Sequence, residues 1–146
     1  MLIMPSSCNT WLTVGAILSS IAALLHVAIV IGGAPWYRFF GAGEAMVSAA
    51  AARRLYPAVV TLAIAAVLAG WAAYALAGAG VLPALPWQKA ALVAITAIYL
   101  LRGLAILPLL LLAREQATPF LVWSSLICLG YGIVHLLGVA QEWTRL

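Results

Sequence analysis

At 146 residues the chain is 67% hydrophobic and only 7% charged, with a mean hydropathy of +1.18, well outside the range of a water-soluble domain of this length. Its charges fall in short intervals between long apolar runs, so lipid rather than water must coat most of the surface. The formal charge of +4 does not mark a nucleic-acid binder, because the seven basic residues are scattered and form no patch or stripe that follows phosphates.

The first apolar run begins at Trp11 and is longer than a signal-peptide core. No Lys or Arg precedes it, and its small-residue site Gly32-Gly33-Ala34 is followed by Pro35, so it is expected to remain as the first span. Four runs can each cross about 30 Å of hydrocarbon, which takes about 20 residues at 1.5 Å per residue: 11–33, 56–79, 88–113 and 119–141. The expectation is an all-α integral membrane protein, a four-transmembrane-helix up-down bundle forming a single membrane domain over 1–146.

The segment 34–54 between the first two runs is different in kind. Trp36, Tyr37 and Arg38 suit the headgroup layer, and the stretch from Glu44 to Arg54 has the composition of a short interfacial helix. It reads as a surface anchor, or alternatively as a lid over an intramembrane cavity. The connections around Pro83 and Pro86 and around Pro119 are tight turns, which make consecutive helices antiparallel neighbours. Arg38, Arg53, Arg54 and Arg114 share one side of the membrane, against Lys89 and Arg145 on the other. The positive-inside rule then puts both termini outside an inner (cytoplasmic) membrane.

Ionisable groups inside the runs carry the functional reading, since an Arg at a helix centre costs roughly 2.5–3.5 kcal/mol on insertion scales. They are His26, Arg102 and His135. Arg102 lies about 15 Å from the end of its run and shares a helical face with Gln88, Ile95 and Tyr99. On the last run Ser124, Cys128, Tyr131 and His135 recur at spacings of four, three and four, and Glu142 continues that face. Gly15, Ser19, Ala22 and Ala23 accompany His26 on a small-residue surface of the first run, and Gly70, Tyr74 and Gly78 mark the second as a packing element. Each of these residues also admits a plain packing role, with the polar atoms bonded to hydroxyls or backbone carbonyls.

Cys8 and Cys128 form no CxxC pair, and there is no HExxH, phosphate loop or intramembrane carboxylate pair. Could the histidines hold a haem iron? His26 and His135 fall in opposite thirds of the bilayer, offset by roughly 13 Å, so no cofactor is expected unless symmetry pairs one histidine with its copy in a dimer.

Three functions remain. The leading one is a non-catalytic bundle whose interior polar strip, Arg102, Tyr99, His26, Cys128, Tyr131 and His135, binds an amphipathic small molecule or lipid within the bilayer. The others are an accessory subunit covered by a membrane-protein partner or by its own copies, and an intramembrane enzyme acting on a sterol-like, isoprenoid or quinone substrate.

Overall fold

A computed structural model describes residues 8–146, leaving 1–7 of the expected domain outside the described residues. The chain is a four-span helical membrane bundle, its spans Thr10–Gly32, Leu55–Gly78, Gln88–Leu112 and Pro119–Glu142 all long and apolar enough to cross a bilayer. In chain order the helices are α1 (Thr10–Gly32), α2 (Ala34–Phe39), α3 (Glu44–Ala51), α4 (Leu55–Gly78), α5 (Gln88–Leu104), α6 (Ile106–Leu112) and α7 (Pro119–Glu142).

Local chemistry sets the ends of these elements. The Asn9 side chain accepts from the Leu12 N–H and so caps α1. Thr118 does the same for Leu121 at the head of α7, where Pro119 occupies a position that needs no N–H. Gly33, at φ +65°, stops α1 and turns the chain directly into α2. The third span is one apolar run in the sequence but two helices in space. Pro108 cannot donate to the carbonyl of Leu104, and α5 ends where α6 begins, around Ala105.

Consecutive spans pack side by side, with the fourth closing against the first. α1 lies along α4, and α5 lies along α7. With lipid outside, helices associate through close packing of small residues, not through expulsion of water. Gly15, Ala16, Ser19 and Ala23 form the buried face of α1, and Ala65, Leu68, Ala72 and Ala75 that of α4. The expected packing side of the second span is therefore displaced: Gly78 meets Leu92 and Leu12, but Gly70 faces open space. Gly103 and Gly132 bring α5 and α7 together, since a Cβ on Gly103 would stand 2.7 Å from the backbone nitrogen of Leu129.

The segment 34–54 folds into the helical hairpin α2–α3, a cap over one end of the bundle. Ile29, Tyr37 and Val47 form a small core of their own. Tyr37, expected at the interface, is 3% exposed, and its hydroxyl donates to Thr61 on α4 at 3.0 Å. Trp36, Arg38 and Glu44 remain on the surface. Phe40 meets Phe120 edge-on at 6.4 Å, joining the cap to the first turn of α7.

Candidate functional site

Tyr99 is the hub of the bundle interior. Its hydroxyl shares a 2.9 Å hydrogen bond with that of Ser19 across from α1. Its ring meets Trp71 of α4 at 5.0 Å, Tyr131 of α7 at 5.4 Å and His135 of α7 at 5.2 Å between centroids. All four spans thus meet at one aromatic layer, which fills the space that longer aliphatic chains would occupy elsewhere.

His135 sits directly beneath this layer and is 0% exposed. Its Nδ1–H donates to the carbonyl of Tyr131 at 2.8 Å, which leaves the buried Nε2 without a hydrogen-bond partner. The ring lies flat on α1 because Gly15 has no side chain; a Cβ there would stand 2.8 Å from Cε1 of the imidazole.

Arg102 behaves differently from its neighbours on α5. Its Nη1 donates to Ser125 at 2.9 Å and its Nη2 to Ser124 at 3.2 Å. Ser124 passes its own proton to the carbonyl of Leu121. Both partners of the guanidinium are therefore neutral hydroxyls. Among the described residues the only ion pair joins Arg145 to Glu142, at the opposite end of the bundle.

Helix registers arrange these groups in layers. Gly15 opposes His135 and Leu12 opposes Gly138 on α1 and α7; Gly103 opposes Leu129 and Leu100 opposes Gly132 on α5 and α7. On α4 and α5, Gly78 opposes Leu92 and Trp71 opposes Tyr99. Arg102 is thus rooted level with Gly130, yet its guanidinium reaches hydroxyls five to six residues nearer the cap. At 1.5 Å per residue the two serines are rooted about 8 Å nearer the membrane surface, and the arginine side chain extends toward them. The same registers set Ser125 level with Ala63 of α4, and Ser124 level with His26 of α1.

At that level the bundle is open on one side. Contact between α4 and α5 is much slighter than along α1–α4 or α5–α7. Above the Trp71–Tyr99 contact a cleft of about 460 Å³ lies along α4, lined by Val60, Ala63, Ile64, Val67, Leu68 and Trp71. By helical phase Arg102 projects from the same side of α5 as the buried Tyr99 and Ile95, but it is exposed.

The residues expected to form one interior strip separate into two groups. Tyr99, Tyr131 and His135 touch one another; Arg102 joins Ser124 and Ser125 about two turns nearer the cap. Cys128 is half-buried between them on α7, and its thiol is free. His26 keeps to α1: its Nδ1–H donates to the carbonyl of Ala22 at 2.7 Å, and the ring is half-exposed at the level of Ser124. Gly15 and His26 are eleven residues apart on α1, so the two imidazoles differ in level by about 16 Å, too far to grip one iron from opposite faces. Among the described residues no three His, Cys, Asp or Glu side chains converge to hold a metal ion.

Ser125, Trp71 and Thr61 complete these contacts without having been singled out in the sequence. Ser125 adjoins Ser124, and the pair was visible; which of the two faces inward depends on a rotation the periodicity does not fix. No protein-family model, curated protein or solved structure matches the chain.

Proposed function

We propose that this protein binds an amphipathic, lipid-like molecule in the open groove along α4, with the ligand's polar end at Arg102 and its apolar part along the α4 wall. The reading rests on one observation. A guanidinium within the span is held by two neutral hydroxyls and left exposed, level with an open apolar wall. A purely structural arginine in lipid is expected to be closed over by carbonyls or a carboxylate, since leaving the charge half-satisfied is costly.

The remainder of the architecture suits a binder. The aromatic layer around Tyr99 closes the inner end of the cleft, and the α2–α3 cap lies over the bundle end beyond Arg102. The exposed Arg38, Arg53, Arg54 and Arg114 lie at the cap end, which by the positive-inside rule faces the cytoplasm across an inner membrane.

The test is a native mass spectrum of the protein released from mild detergent, wild type beside Arg102→Ala. The expected result is a lipid-sized adduct retained by the wild type and lost in the variant, with equal helicity and thermal midpoint in both. Identical adduct patterns, or a bare wild-type protein, would remove the reading.

A further inference from the structure

Resting on that reading, we infer that the polar end bound at Arg102 is a phosphate group, and that it belongs to a membrane lipid entering sideways from the leaflet at the cap end. A guanidinium carries five N–H donors in a planar fork. One from Nη1 and one from Nη2 are engaged by Ser125 and Ser124, and the others have no acceptor among the described residues. The hydroxyl of Ser125 accepts from Arg102 and is itself buried, so the guanidinium is the group a ligand meets. The site thus offers free N–H donors and a net positive charge that no carboxylate among the described residues neutralises. A neutral ester or alcohol would leave the charge uncompensated, and a carboxylate has two oxygens to a phosphate's three or four. Phosphate fits both the charge and the number of donors.

Depth selects the source. Ser125 lies six residues inside the start of α7, about 9 Å at 1.5 Å per residue. A helix of 24 residues is about 36 Å long and overhangs a 30 Å hydrocarbon core by about 3 Å at each end. The guanidinium is then about 6 Å below the boundary, within reach of a headgroup that sinks slightly and remote from ions in water. The cleft wall faces acyl chains, with Val67 50% and Ile64 43% exposed, so a lipid can slide in with its tail already in place. The exposed arginines at the same end enrich anionic lipids in that leaflet.

The experiment titrates purified protein with dioleoyl phosphatidic acid, dioleoylglycerol, oleate and inorganic phosphate, reading bound fractions by native mass spectrometry. The wild type should bind phosphatidic acid about tenfold or more tighter than dioleoylglycerol, which has the same tails without the phosphate. Arg102→Ala should bring that ratio close to one, and Arg102→Lys, which keeps the charge but not the fork, should fall between. Ala63→Trp, which fills the cleft from the α4 side and leaves Arg102 in place, should weaken both lipids together; it carries the test if Arg102→Ala does not fold.

Equal binding of the two glycerolipids by the wild type would overturn the phosphate inference while leaving lipid binding intact. Oleate binding as tightly as phosphatidic acid would overturn it in favour of a carboxylate. Displacement of phosphatidic acid by millimolar inorganic phosphate would overturn the lipid source. Absence of any lipid adduct would overturn the underlying reading as well.

Discussion

Glycine-to-alanine substitutions should split by sign according to what each glycine faces, and Gly103 is the sharpest case. A Cβ there would lie 2.7 Å from the backbone nitrogen and 2.8 Å from the Cα of Leu129. Ordinary contact begins near 3.4 Å, so α5 and α7 must part by about 0.7 Å, and backbone offers no rotamer through which to yield. Overpacking of this kind costs about 1–3 kcal/mol. Gly70 and Gly130 meet nothing within 4 Å, and alanine there should stabilise by about 0.5–1 kcal/mol through helix propensity alone. The assay is unfolding by SDS in mixed micelles, followed by tryptophan fluorescence and circular dichroism. Gly103→Ala should shift the midpoint to lower SDS, and Gly70→Ala to higher. The separation should also lengthen the 2.9 Å bond from Arg102 to Ser125, so Gly103→Ala should weaken the lipid adduct too. Shifts of the same sign at Gly103 and Gly70 would refute the packing described for α5 and α7.

Asn9→Ala removes the α1 cap together with bonds from Nδ2 to Gln141 at 2.9 Å and Glu142 at 3.2 Å. A loss of about 2–4 kcal/mol is expected in the same SDS titration, since a cap contributes about 1 kcal/mol and bonds to a carboxylate more. At the centre of the bundle the two sides of one hydrogen bond should be unequal. Ser19→Ala strands the Tyr99 hydroxyl in an apolar layer and should cost about 1–3 kcal/mol. Tyr99→Phe leaves a serine able to turn to its own helix carbonyls and should cost about 1 kcal/mol or less. Equal losses in the two variants would show that Tyr99 finds another partner.

The spans were legible because lipid permits so few ways of satisfying a backbone, and a run of twenty apolar residues has essentially one fate. The hairpin in 34–54 was half legible. Its aromatics announced a surface segment, but Tyr37 reaches inward to Thr61, a partner 24 residues away that no local pattern marks. The third run was read as one span from its unbroken apolarity, and the break at Ala105 is local backbone geometry set by Pro108 that hydropathy does not register. For the site, the spacing of Ser124, Cys128, Tyr131 and His135 pointed to one polar face. The buried positions of α7 are Ser125, Gly132, His135, Gly138, Val139 and Glu142, a face turned by a fraction of a turn where Gly132 lets α5 in. Arg102 was visible as a charge out of place, but its reach toward the cap was not. That reach is a choice of side-chain rotamers made against Ser124 and Ser125, and it separates the guanidinium from the Tyr99 layer to which helical phase alone assigns it.

The Asn9 tie bears on how the protein is assembled. Its side chain bonds residues 132 and 133 positions away, and its backbone N–H donates to Ala79 at the end of α4. The end of the bundle opposite the cap therefore cannot close until the fourth span has entered the membrane. The contacts of the cap with α1 and α4 can form as soon as α4 is inserted, before Phe120 of α7 arrives to meet Phe40. The Arg102 site, whose two hydroxyls belong to α7, is likewise completed only with the fourth span. A chain stalled before its final turn would lack the Asn9 bonds to Gln141 and Glu142 and stay unlatched at the surface far from the cap.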